Sequence, residues 1–183
     1  MNELGIAVEG KNDEKIVSEI LKKLNINAHI VLPPRGGGKS NMFNNLEKIV
    51  FGKLRDSKKR VILVDYDDSE KWENKFKSKT NDLNNKPCAK NKKIILHFAK
   101  QEIEAWILGC YPKDILKDVK NRNTDEVIKP HILIENFEKK KRNDKNFRYN
   151  KTVDGKRIAT RNELKHFRIS KSFREFQKIL QNN

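Results

Sequence analysis

Three carboxylates follow directly on an apolar run: Asp65, Asp67 and Asp68 come after Val61-Ile62-Leu63-Val64. Four consecutive β-favouring residues read as a strand buried on both faces, the kind found in parallel sheets. Crowding ionised carboxylates at the end of such a strand costs free energy through desolvation and mutual repulsion, and a divalent cation is the economical way to offset it. The alternative is that these acids cap and open the next helix. The same arrangement recurs. Glu9 ends Leu4-Gly5-Ile6-Ala7-Val8, and Asp13 shares a helical face with Ile16, Val17, Ile20, Leu21 and Leu24. Glu102 and Glu104 come shortly after Ile94-Ile95-Leu96-His97-Phe98. Carboxylates from several strand ends make a hard oxygen cage, and the ion that suits it is Mg²⁺ or Mn²⁺.

The elements that must position these acids alternate between strand and helix over the first hundred or so residues. The pattern predicts strands at 4–8, 27–32, 61–64 and 93–98 and helices at 13–24, after an N-cap at Asn12, 43–50 and 99–108. Such alternation implies a parallel α/β sheet with right-handed crossovers, whose sites form outside the carboxyl ends of the strands. Residues 69–92, rich in lysine and asparagine, predict an exposed crossover with one short helix carrying Trp72 and Phe76. Between the second strand and helix lies Arg35-Gly36-Gly37-Gly38-Lys39-Ser40. Pro33 stands where a P-loop requires glycine, so that motif is absent. A basic glycine-rich loop can still hold a phosphodiester through its amides, Arg35 and Lys39; a plain connector is the alternative. His29 and His97 read as ordinary strand residues.

Hydrophobic and charged residues each make up 36% of the 183-residue chain, and the mean hydropathy is −0.87. The net charge of +16 and pI near 9.8 favour a polyanionic partner, nucleic acid first among them. Cys88 and Cys110 lack metal-ligand spacing and form no disulfide framework. There is no apolar run long enough for a bilayer and no signal-peptide pattern, so a cytoplasmic protein is expected. Past Pro112 the composition changes. A core over residues 1–112 is expected to carry a basic, mainly helical extension over 113–183. Residues 138–157 interleave Lys140, Lys141, Arg142 and Arg148 with Phe147 and Tyr149, a combination that suits single-stranded nucleic acid; a solvated charged face is the bland alternative. The closing helix, near 161–180, buries Leu164, Phe167, Phe173, Phe176 and Leu180, with Ser170-Lys171-Ser172 as its dividing point.

Taken together, the apolar-Glu9-Gly10-x-x-Asp13 and Asp65-x-Asp67 motifs resemble those of the TOPRIM superfamily, named for topoisomerases and primases. Gln101-Glu102-Ile103-Glu104-Ala105-Trp106-Ile107-Leu108 and the closing 167–176 segment are similar to a small stand-alone branch related to the nuclease domains of overcoming-lysogenisation-defect (OLD) proteins. The resemblance spans nearly the whole chain. It implies a TOPRIM-like, Rossmann-like parallel sheet flanked by helices. It also implies Glu9, Asp65 and Asp67 as metal ligands, Asp13 as a further ligand, and Glu102 or Glu104 in a supporting acidic role. The chain lacks the ATPase domain of full OLD proteins, so a separately encoded partner such as an ATPase is implied.

The expected function is therefore a Mg²⁺- or Mn²⁺-dependent nuclease acting on DNA or RNA, within a phage-defence or repair system. Glu9, Asp65, Asp67 and Lys39 would be its catalytic residues. The alternatives are a non-catalytic nucleic-acid-binding or regulatory module, and a toxin-like subunit active only with a partner.

Overall fold

The computed structural model describes residues 3–34, 37–117 and 123–182, and the chain divides between Phe98 and Ala99 into two compact units. The first carries a four-stranded parallel sheet of order β2-β1-β3-β4, formed by Leu4–Ala7 (β1), His29–Val31 (β2), Lys59–Asp65 (β3) and Lys93–Ala99 (β4). β1 lies between β2 and β3 in parallel register, Ala7 opposite Val31 on one side and Ile62 on the other. An α/β fold with a Rossmann-like parallel sheet is what the strand–helix alternation predicts.

Both faces of the sheet are covered, which is why Val61 to Val64 need no polar residue among them. On one face Ala7, Ile62 and Val64 join Met42, Leu46, Ile49 and Phe76 in a continuous core. Ile6, Val61 and Leu63 alternate to the other face and are equally buried. The helices are α1 (Lys11–Leu24), α2 (Lys39–Asn44), α3 (Leu46–Lys48), which runs on into a π-helical turn at Ile49–Lys53, and α4 (Glu70–Asn84).

The α4 helix departs from the expectation of an exposed crossover. Its fifteen residues bury Phe76, Thr80 and Leu83, one apolar contact per turn, and the charged remainder faces out. Phe43 locks it in place, with ring centroids 5.7 Å from Trp72 and 5.4 Å from Phe76 in edge-to-face contacts. A stripe this narrow is diluted by lysine and asparagine, so periodicity alone understates it.

The second unit is helical: α5 (Glu104–Leu108), α6 (Pro130–Arg142), α7 (Lys151–Arg161), α8 (Leu164–Phe167) and α9 (Lys171–Gln181). The helix bearing Glu104 thus belongs to this unit, where the sequence reading groups it with the sheet. Trp106 sits at its centre, fully buried, stacked on Phe176 at 5.0 Å and edge-on to Phe173 at 5.5 Å. Ser170-Lys171-Ser172 does divide the closing segment. Ser170 Oγ caps α9 by accepting from the Phe173 N–H at 3.0 Å. The buried Asp125 carboxylate accepts from Ser170 Oγ (2.7 Å), Ser172 N–H (2.7 Å) and Ser172 Oγ (2.9 Å). Ser172 Oγ in turn accepts from the Trp106 indole at 2.9 Å. A buried anion with every bond supplied by a helix start is a specific joint, and removing the carboxylate strands several donors at once.

Asp125→Ala is accordingly expected to cost about 2–4 kcal/mol in unfolding free energy measured by urea denaturation. A loss well under about 1 kcal/mol would show that the network does not hold α9 to the rest of this unit.

Candidate functional site

The parallel pairing of β1 and β3 brings their carboxyl ends side by side. Glu9 follows β1 and reaches across to β3, where its Oε1 accepts the backbone N–H of Asp65 at 2.8 Å. Its own carbonyl accepts the N–H of Gly38 at 2.8 Å. The glycine loop is thereby fastened to the strand end.

That fastening explains why glycines are needed here. Gly37 and Gly38 have φ of +95° and +92°, and a Cβ on Gly37 would collide with the Glu9 carbonyl oxygen. The loop then starts α2 at Lys39, whose side chain is only 11% exposed and whose Nζ lies 2.7 Å from Asp67 Oδ2. Asp67 and Asp68 occupy the left-handed region, φ 49° and 50°, as the chain turns from β3 toward α4. Asp67 is half exposed there. Asp13 lies on the first turn of α1, and its Oδ2 accepts the Gly10 N–H at 3.0 Å.

The Glu9 carboxyl is the electrostatic centre of this group. Burial pushes its pKa from 4.5 up to about 7; Lys39 and the Asp65 N–H pull the other way, and the charges of Asp13 and Asp67 push it further up. A carboxyl poised near neutrality can take or release a proton at working pH.

The structure thus gathers Glu9, Asp13, Asp65, Asp67 and Lys39 within the first unit, all of them foreseen from the sequence. Among the described residues, however, no group of three or more His, Cys, Asp or Glu side chains is set to hold a metal ion. The bonding partners give the reason: Glu9 is drawn to an amide, Asp13 to the start of its own helix and Asp67 to an ammonium. Arg35 lies outside the described residues. A cavity of about 820 Å³ in this unit, lined by Asn41, Asn45, Lys48 and Lys53 among others, includes none of these acids.

In the second unit, Glu102 and Glu104 form a separate cluster. His131 Nδ1 donates to Glu102 Oε2 across 2.5 Å, and Lys151 Nζ lies 3.3 Å from Glu102 and 3.5 Å from Glu104, which is 1% exposed. Tyr149 belongs with them: burial, then the Glu104 charge, raises its phenol pKa far above the ordinary value. The sequence reading names the two glutamates but misses His131 and Lys151, which open α6 and α7 and approach the acids only through the folding of this unit. Of the expected nucleic-acid-binding residues, Arg142 pairs with Glu138 at 2.8 Å and Arg148 with Glu135 at 3.4 Å. Lys140 and Lys141 are exposed.

Fold and site together define an α/β protein whose Rossmann-like parallel sheet presents a charged carboxylate–lysine group at its strand ends. The family model described as a domain of unknown function, DUF4276, matches residues 8–181, and the chain belongs to that family. Neither a curated protein nor a solved structure matches it.

The raised Glu9 pKa sets a pH dependence of stability in the absence of divalent cations. The folded carboxyl holds its proton up to about pH 7 while the unfolded one releases it near 4.5, so the folded form binds more protons in that window and unfolding free energy falls as pH rises through it. Glu9→Gln should abolish the fall and leave the protein up to about 3 kcal/mol more stable than wild type at pH 8, measured by denaturation in EDTA across pH 4 to 8. Superimposable wild-type and variant profiles would remove Glu9 as the titrating group.

Proposed function

We propose that this chain is a metal-dependent nuclease of the TOPRIM type, hydrolysing phosphodiester bonds in DNA or RNA. The observation that carries the reading is the half-buried Glu9 carboxyl, joined to the end of β3 at Asp65, with Asp13, Asp67 and Lys39 close enough to act on its charge. All of the donors are carboxylate oxygens, which suits Mg²⁺ or Mn²⁺, and an excess of negative charge at one strand edge suits a divalent cation. Glu9, Asp65 and Asp67 would hold the ion, with Asp13 as the further ligand. When bound, Mg²⁺ or Mn²⁺ supplies Lewis-acid polarisation of the phosphate and acidification of a water.

The chain's own residues support the rest of the chemistry. Glu9 would act as a ligand, as an ionised carboxylate on the ion, rather than as a free proton acceptor. Lys39 is anchored on the glycine loop, so its ammonium, exchanged from Asp67 to a phosphate, would offset charge developing on the scissile group. The net charge of +16 favours a polyanionic substrate. Defence or repair remains the setting that the resemblance implies, with a separately encoded ATPase as partner.

A second reading is favoured by the engaged state of the carboxylates. If Lys39 stays on Asp67 permanently, the site is self-neutralised and the chain is a nucleic-acid-binding or regulatory module without turnover.

Assays on single- and double-stranded DNA and RNA, in Mn²⁺ and then Mg²⁺, separate the two. Metal-dependent cleavage that drops at least about a hundredfold in Glu9→Gln and in Asp67→Asn is expected. Salt-sensitive binding without cleavage would favour the second reading, and undiminished cleavage by folded Glu9→Gln would falsify the first.

A further inference from the structure

A second concave feature lies wholly within the helical unit and uses none of the strand-end acids. It is a cavity of about 380 Å³ between the last turns of α6 and α7, where Lys141, Arg142, Arg157 and Arg161 line it together with Tyr111 and Glu138. Two of the four cations are held by the chain itself. Arg142 Nε donates to the buried Glu138 at 2.8 Å, and its guanidinium lies 4.3 Å from the centre of the Phe147 ring. Arg157 donates to Asp154 Oδ1 at 2.7 Å. These bonds fix the direction of two guanidinium forks before any ligand arrives, so little side-chain entropy is lost on binding. Lys141 and Arg161, by contrast, have no acidic partner among the described residues.

The charges decide the ligand class. Four cations against the Glu138 and Asp154 carboxylates leave a surplus of two positive charges around one small space. An internal phosphodiester carries a single negative charge, whereas a phosphate monoester carries about −1.5 to −2 at neutral pH and offers more acceptor oxygens. The volume exceeds that of a phosphate ion alone and falls within the range of small-ligand sites. We infer that this cavity is a binding site for a phosphate monoester carried on a nucleotide: the phosphorylated end of a strand, or a free mononucleotide. Arg161 and Lys141 neutralise the phosphate, and the pre-aimed Arg142 and Arg157 fix its orientation. The inference does not depend on metal or cleavage at the strand ends.

The full chain in EDTA tests it at fixed moderate salt, by calorimetric titration with AMP, with adenosine, and with a short 5′-phosphorylated oligonucleotide beside its 5′-hydroxyl twin. AMP should bind and adenosine should not, and the phosphorylated strand should bind at least about tenfold tighter than the twin. Arg161→Gln and Lys141→Gln, both exposed and so safe for folding, should each weaken these phosphate-dependent affinities about tenfold, while Lys165→Gln outside the cavity leaves them unchanged. Tighter binding of the strand end than of AMP assigns the site to strand termini; the reverse assigns it to free nucleotide. Equal affinity for phosphorylated and unphosphorylated ligands, or unaltered affinities in both variants, overturns the inference. Because metal is absent throughout, failure here leaves the nuclease reading standing, and loss of cleavage in Glu9 variants leaves this site standing.

Discussion

Holding a half-buried carboxylate between two parallel strand ends is the constraint from which the first unit's local structure follows. Glu9 needs a donor, and the first N–H beyond the central run of β3 supplies it. To keep Glu9 there its carbonyl must also be satisfied, which the Gly38 N–H does, and the neighbouring Gly37 passes so close to that carbonyl, at positive φ, that only glycine fits. The same loop delivers Lys39 to Asp67. One strand-end acid therefore dictates the position of a loop, a helix start and an ion pair. The sheet core beneath, from Ile62 to Val64, provides the rigidity that makes these positions reproducible.

The chain holds its buried and half-buried acids in three ways. Asp125 is surrounded by hydroxyl and amide donors at the start of α9, a fully satisfied anion with no call for an outside charge. Glu102 and Glu104 share the Lys151 ammonium, and Glu102 also meets the His131 ring, all inside their own unit. Glu9 has one amide and a lysine committed to Asp67, while two further acids press on it. Burial is the main cause of its raised pKa, with Lys39 and the Asp65 N–H opposing it and Asp13 and Asp67 adding smaller upward pushes. A carboxyl whose pKa is moved this far by its surroundings differs from acids whose partners are all supplied by their own neighbourhood.

How far the sequence disclosed this depends on the range over which each signal acts. The β1 and β3 strands announce themselves by unbroken apolar runs, and the parallel order follows from alternation with helices, because both are local patterns. The acids at the strand ends were legible for the same reason. The α4 helix was not: one buried residue per turn among lysines and asparagines leaves a weak period, and the aromatic contact with Phe43 that fixes it comes from another element. His131 and Lys151 were invisible, since nothing near them in sequence links them to Glu102; only the packing of α5 with α6 and α7 does. The hand-over between units at Phe98 also escaped, because composition changes later in the chain than packing does.

A large positive charge is a poor guide to where an anion binds. Many of the lysines and arginines are spent on local acids: Lys139 and Arg148 on Glu135, Lys86 on Glu47, Lys22 on Glu19. Such pairs are nearly neutral at the surface and weak in salt. What concentrates potential is a cation that the chain does not pair, placed beside ones whose direction is already fixed, inside a concave wall that limits screening. The α6–α7 cavity meets these conditions with Lys141 and Arg161 beside Arg142 and Arg157. Among the described residues at the strand ends of the first unit the grouping differs, with Glu9, Asp13, Asp65 and Asp67 beside Lys39. The overall value of +16 conceals this local distribution of charge.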